Sequence, residues 1–409
     1  MQLDLNFIRK EYPSLREDYV YFDNAGGSQT LKRVMDKITE YYMTSDVQLG
    51  GTYSVSSEAR KRVNSGTESI AKTLNTQLPH EAVIGGSSTA LIRLFSIVIG
   101  QTLEAGDEVI ITNADHEANI SPWKSLTAKG VIVKVWEFNK QSLQLELDDL
   151  KPLMTEKTKL VAFCHVSNIF GTIHPVKEFT DYIHSQNALA FVDGVAYAPH
   201  RLPDVQALGV DFYVYSIYKV FGPHIGVLYG KEEHLLRLPG INHSFIPNDD
   251  LPYKFQPGGP NYELTYSLNG IEEYLTAVAQ HHGMDASTPT RQQMEYAYDL
   301  FDVHEEKLTQ RLLDFLKSKP NVRLIGADTA NRAVRVCTVA FVVDGVHAST
   351  IDAQVAAQNI GIKVGNFYAT GITKALDLDD KGGVIRVSMA HYNTMEELER
   401  LIAVLDQLL

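Results

Sequence analysis

Between Ala82 and Gly230 short apolar runs recur, and most are followed by text with helical periodicity. This alternation constrains the fold more than any other feature of the chain. The runs are AVIGG, EVIIT, IVKVWEF, KLVAFCHVS, ALAFVDGV, DFYVYSIY and IGVLYG. Their Val, Ile, Phe and Tyr residues are nearly continuous rather than alternating with polar ones. A strand apolar on both faces must be covered on both, and strands joined through helices run parallel. The pattern therefore predicts an α/β fold with a mostly parallel sheet between two helical layers.

Outside this region the text changes. Residues up to about Tyr19 read as an amphipathic helix, followed by the strand-like YVYFDNAGG, and the segment from Leu31 to Leu78 is mostly helical. A Pro/Gly/Asn-rich loop, INHSFIPNDDLPYKFQPGGPN, interrupts the pattern near Pro239–Pro260, and two helical stretches follow up to Ser318. The last third reads strand (RAVRVCTVAFVVDG), helix (HASTIDAQVAAQNI), strand (GVIRVSMA) and helix (TMEELERLIAVLDQLL). Thr394 and Glu397 are spaced as a reciprocal helix cap. A smaller α+β domain is thus expected after the large one.

The chain has 409 residues, with 37 basic against 50 acidic side chains and a net charge of −13. No basic stripe is present, which argues against nucleic acid or an anionic membrane as a partner. An anion site must then be built locally. The two cysteines, Cys164 and Cys337, sit in apolar runs and read as buried, inert thiols. The N-terminal text lacks an apolar signal core, and no run reaches membrane-spanning length, so a cytoplasmic protein is expected. No metal is expected.

Parallel strands collect their C-terminal ends at one edge of the sheet, where ligands bind. Chemistry-bearing residues stand at these ends. Lys219 follows DFYVYSIY in apolar text, where desolvation favours the free amine that a Schiff base requires. Asp193 ends LAFVD, 26 residues earlier. A carboxylate there can hold a pyridine nitrogen protonated. GGSSTAL follows the strand AVI and opens a helix, so its amides together with Ser87 and Ser88 can hold a phosphate. His116 lies beyond EVIIT, where an imidazole can stack on a pyridine face and shuttle protons as a catalytic residue, and Asn168 lies beyond KLVAFCHVS. Singly, each also fits a turn, a cap or a satisfied loop residue; together, in this order, they describe one site.

With these segments the chain resembles the class V aminotransferase family, pyridoxal 5′-phosphate enzymes of fold type I, on the cysteine desulfurase/selenocysteine lyase branch. The matching text is GGSSTAL, HEANISPW, HVSNIFGTIHPV, FVDGVAYAPH, DVQALGVDFYVYSIYKVFGPHIGVLYG and IRVSMAHYNT, and the similarity runs from YFDNAGG to HYNTMEELERL. The resemblance implies a large domain (20–265) with a mainly parallel seven-stranded sheet, and a small α+β domain formed by residues 1–19 and 266–409. It implies Lys219 as the lysine that carries the cofactor, Asp193 on the pyridine nitrogen, His116 stacked on the ring and Asn168 on its phenolic oxygen. Ser87, Ser88 and Ser216 would hold the phosphate. Arg386 would hold the carboxylate of an amino-acid substrate, a role suited to its fork of donors. It also implies a homodimer.

The chain departs from the desulfurase pattern at four places. The loop where desulfurases carry the persulfide-forming cysteine reads KVGNFYATG, with Tyr368 nearest the thiol position and Asn366 two residues before it, both expected on the substrate side. Tyr218 stands where desulfurases have His, and Ala196 where many have a ring-contacting Gln or His. Gly259 stands where a Thr from the neighbouring subunit reaches the phosphate. Without a loop thiolate no nucleophile for substrate sulfur is evident. The expectation is a lyase or aminotransferase acting on an amino acid without persulfide chemistry. The alternatives are a selenocysteine lyase or cysteine desulfurase, and a non-catalytic cofactor-binding regulator.

Overall fold

The computed structural model describes residues 2–409. In chain order the strands are β1 (Val20–Tyr21), β2 (Ala82–Gly85), β3 (Glu108–Thr112), β4 (Ile132–Trp136), β5 (Thr158–Cys164), β6 (Leu189–Asp193) and β7 (Phe212–Ser216). There follow β8 (Gly226–Gly230), β9 (Val322–Leu324), β10 (Thr338–Val343), β11 (Ile360–Gly361), β12 (Lys363–Gly365) and β13 (Val384–Ser388). The apolar runs become one seven-stranded sheet in the order β2-β8-β7-β6-β5-β3-β4. The pairings from β4 through β3, β5 and β6 to β7 are all parallel, as near-continuous apolar text requires. β8 alone is reversed, being antiparallel to both β7 and β2.

This order places the C-terminal ends of β2, β3, β5, β6 and β7 along one edge, with the start of β8 beside them. Asp193 lies in register with Cys164 of β5 and Val214 of β7. Side chains of the two sheet faces fall into separate apolar clusters. Ile110, Val161, Val192 and Tyr213 belong to one; Val109, Leu160, Phe191 and Phe212 belong to the other. That division follows from the period of two along each strand.

The last third of the chain forms a four-stranded antiparallel sheet, β12-β13-β10-β9. The helices Thr290–Lys317 and Met395–Asp406 contribute Leu308, Leu312, Leu398 and Leu401 to its apolar cluster, which also holds Val20 and Phe22. The Thr394–Glu397 cap is formed in both directions. β1 pairs in parallel with β11, and Asp23 bridges to Ser388 at the end of β13. The segment after β1 is thereby carried to the strand that holds Arg386.

Two expectations are corrected. The first helix covers only Leu5–Lys10, capped by Asp4, instead of continuing to about Tyr19. Pro13 follows within one turn, and helices end at or before the residue preceding a proline. The run RAVRVCTVAFVVDG enters the sheet only at Thr338. Residues 334–336 pair instead with the loop after β5, through Ile173 N to Val334 O (2.9 Å) and Val336 N to Gly171 O (2.9 Å). Among the described residues no helix is long and apolar enough to cross a membrane.

Gly226 marks the closest approach of β8 to the turn after β2. A Cβ there would stand 2.4 Å from Ser88 N and 2.5 Å from the Ser87 carbonyl carbon, backbone atoms that cannot yield. Gly226→Ala should therefore lower stability by about 1–3 kcal/mol in urea unfolding of the cofactor-free protein. Gly86→Ala has nothing within 4 Å of the added methyl, and its change should stay within about 0.5 kcal/mol.

Candidate active site

A cleft of about 550 Å³ opens at the shared strand edge. Its walls bring together Ser87 and Ser88 after β2, His116 after β3, Asn168 after β5, Asp193 on β6, Ser216 at the end of β7, and Tyr218 and Lys219 just after it. Eight of the residues singled out from the sequence thus meet in one cavity.

One end of the cleft suits an anion. Ser87 caps the helix Ser88–Gln101, its Oγ accepting from Ala90 N at 3.1 Å. Ser88 Oγ and Ser216 Oγ are 2.6 Å apart, which draws β7 onto the helix start. Free amides at a helix N-terminus and two hydroxyls form a phosphate-type cradle. Gly226 keeps β8 clear of it.

At the other end lie the titratable groups. Asp193 is buried, and Val195 N donates to its Oδ1 at 2.8 Å. Burial raises it to about 6, against the opposing pull of that amide and of Lys219. Lys219 falls to about 8, first through burial and then through the positive charge of Arg386, while Asp193 and Asp23 act the other way. His116 falls to about 4 through burial and the charges of Lys219 and Arg386. Its Nδ1 accepts from Ala118 N at 3.0 Å, which leaves the proton of the neutral ring on Nε2.

Asp115, which no strand-end argument singles out, lines the same cleft. His116 N donates to its Oδ1 (2.7 Å) and Asn119 Nδ2 to its Oδ2 (2.7 Å). Burial and the neighbouring charge of Asp193 drive this carboxyl well above its ordinary value. The only signal in the sequence was an acidic residue directly before His116, which also fits a turn.

Arg386, Asn366 and Tyr368 do not line the cleft, yet they are wired to it. Arg386 is buried on β13, with Nη2 donating to Asp23 Oδ1 (2.9 Å) and Nη1 to the carbonyl of Asn168 (3.2 Å). The Phe367 ring lies 3.7 Å from its guanidinium carbon. Asn168 Nδ2 donates to Phe367 O at 2.9 Å, which leaves its second N–H for a ligand. The Tyr368 ring is 71% exposed and sits 5.4 Å from His116, and its carbonyl accepts from Glu117 N at 2.7 Å. Asn366 Oδ1 accepts from Tyr368 N. Tyr218 stacks on His224 at 4.6 Å. Gly259 is elsewhere in this chain: it lines a separate cavity with Gln48, Arg60, His80 and Gln256. Its loop folds over β2, where Gln256 Nε2 donates to Ile84 O.

The donor set fits pyridoxal phosphate group by group. The serine cradle suits the phosphate, Asp193 a protonated ring nitrogen, and Lys219 the aldehyde. Asn168 Oδ1 and Arg386 Nε are buried polar atoms without protein partners, as expected of a site built around a ligand.

Residues 20–401 match the family model of class-V aminotransferases. The aminotransferase-like protein FGM3 of Gibberella zeae is 38% identical, with 98% of each chain covered. The cysteine desulfurase-like protein ustD of Aspergillus flavus is 33% identical over 99% of this chain and 91% of its own. Among solved structures, the apo cysteine desulfurase of Thermococcus onnurineus superposes with a TM-score of 0.87 at 26% identity, covering 100% of this chain and 98% of that one. From its fold, the contents of its cleft and these likenesses, the chain belongs to the class-V aminotransferase family and is a pyridoxal-phosphate-dependent, cysteine desulfurase-like enzyme.

Proposed function

We propose that this enzyme removes the α-proton of a small amino acid at Lys219 and carries the reaction forward as a lyase or aminotransferase, without passing sulfur to a protein thiol. The observation that carries the reading is a lysine and an aspartate on adjacent strand ends in one cleft, with a buried arginine beside them. When bound, pyridoxal phosphate takes up the electron pair released at the substrate Cα.

The chain's own residues then have separate tasks. Lys219 anchors the cofactor and holds or returns the proton. At about 8, roughly a tenth of its amine is free at pH 7, against well under a thousandth for an ordinary lysine. Asp193 faces the ring nitrogen, and a cationic nitrogen beside it draws its own value down from about 6. His116, neutral across the physiological range, covers the ring without adding charge. Asn168 offers its remaining N–H to the phenolic oxygen. Ser87, Ser88, Ser216 and Tyr218 hold the phosphate, and Arg386 takes the substrate carboxylate. Tyr368 and Asn366 stand at the substrate side of the site. A homodimer belongs to this reading, with Gly259 of one chain facing the neighbour's phosphate. Gly259 has no hydroxyl, so phosphate retention falls on the serines.

Sulfur chemistry is disfavoured by where the thiols are. Cys164 on β5 and Cys337 before β10 are both buried, and burial pushes both thiols well above their ordinary value. Neither supplies a mobile thiolate. After incubation with L-cysteine, mass spectrometry should find no persulfide on either residue. A persulfide on one of them, with sulfide release lost in its Ser variant, would restore the desulfurase reading.

Cofactor uptake should follow the Lys219 amine. The rate at which the cofactor-free enzyme gains visible absorbance from pyridoxal phosphate should rise with pH through about 8 and level above it, because only the neutral amine attacks the aldehyde. A rise centred near the ordinary lysine value of about 10.4 would show that the cleft does not desolvate Lys219.

A further inference from the structure

Arg386 is over-determined in its position. Its strand is paired on both sides, with Ala340 of β10 and Lys363 of β12 opposite it. The Asn168 carbonyl accepts from Nη1, and the Phe367 ring packs on the guanidinium. These contacts fix the side chain without Asp23, yet Asp23 Oδ1 takes an arm of the fork at 2.9 Å. Nε is left buried and without a partner.

Asp23 itself stands between two cations. Its other oxygen is 3.8 Å from Lys363 Nζ, and its side chain is 31% exposed against 3% for Arg386. A groove of about 800 Å³, bounded by Tyr19, Tyr21, Asn24 and Gly27, opens at Asp23. Gly27 backs directly onto the Tyr218 ring of the cofactor cleft, with a built Cβ 3.4 Å away. On this side Asp23 is therefore open to solvent while Arg386 lies buried behind it.

We propose that Asp23 sets the affinity of the site for a substrate carboxylate, as a resident counter-anion on Arg386 that the incoming carboxylate must share or push toward Lys363. This rests on Arg386 being the carboxylate clamp. A neighbouring anion opposes a second one, so the clamp binds one carboxylate weakly and releases it readily. The rival role, in which Asp23 merely orients Arg386, predicts the opposite sign. Loss of an orienting group weakens carboxylate binding, whereas loss of a competing anion strengthens it.

Two carbonyl reagents separate the cases without knowledge of the natural substrate. Aminooxyacetate carries a carboxylate and methoxyamine does not, and both react with the lysine-bound cofactor. The ratio of their rates on the holoenzyme, read from the loss of visible absorbance, isolates carboxylate recognition. Asp23→Asn keeps the shape and an acceptor for Nη2 while removing the charge, and should raise the ratio about threefold to tenfold. Arg386→Gln should collapse the ratio to that of free pyridoxal phosphate. A ratio that falls or stays level in Asp23→Asn, while Arg386→Gln collapses it, would overturn the role of Asp23 and leave the clamp standing. No change in Arg386→Gln would overturn the clamp, and the role of Asp23 with it.

Discussion

The parallel register of β5, β6 and β7 decides where everything else can go. Cys164 and Asp193 end their strands side by side and Val214 lies next to them, two residues before the end of β7, so the loops that follow the three strands share one edge. Asp193 is the last residue of its strand, and Lys219 follows β7 by a single turn. A slip of one residue in β6 would turn Asp193 to the opposite face. The apolar clusters on the two faces of the sheet forbid such a slip, since it would exchange Phe191 and Val192 between them. Packing far from the chemistry therefore places the carboxylate beside the amine.

Burial then does the electrostatic work. The cleft gathers two carboxyls, a lysine and a histidine, with a buried arginine and its own aspartate outside its lining. Low solvation disfavours every charged form, and each group resolves the conflict differently. His116 stays neutral, Lys219 gives up part of its charge, and burial together with the neighbouring Asp193 drives the Asp115 carboxyl well above its ordinary value. Arg386 retains its charge by drawing in Asp23. The local dipoles and hydroxyls at Ser87 and Ser88 create an anion site in a chain whose net charge of −13 provides no general attraction for one.

The residues at strand ends were legible in the sequence because their meaning depends on topology, and topology followed from apolar runs separated by helices. Ser87, His116, Asn168, Asp193 and Lys219 each needed only a strand before them. Asp115 was not legible, because its role comes from facing Asp193 across the intervening strand β5. Asp23 was hidden for a similar reason: its partner Arg386 lies 363 residues away and meets it through the β1–β11 pairing and the bridge to Ser388. The Asn168–Phe367 bond is likewise a contact between remote loops. The early end of the first helix was readable at Pro13, whereas the displacement of residues 334–336 from the sheet needed the loop after β5 to be in place.

Everything in the proposed chemistry depends on Lys219, desolvated just after β7 and near Asp193, being the residue that holds the cofactor. Borohydride reduction of the yellow holoenzyme, followed by proteolysis and mass mapping, tests it directly. A phosphopyridoxyl group should appear on Lys219 alone, with no fixed cofactor in Lys219→Ala. Stoichiometric labelling of any other lysine, or an unchanged label in Lys219→Ala, would contradict it.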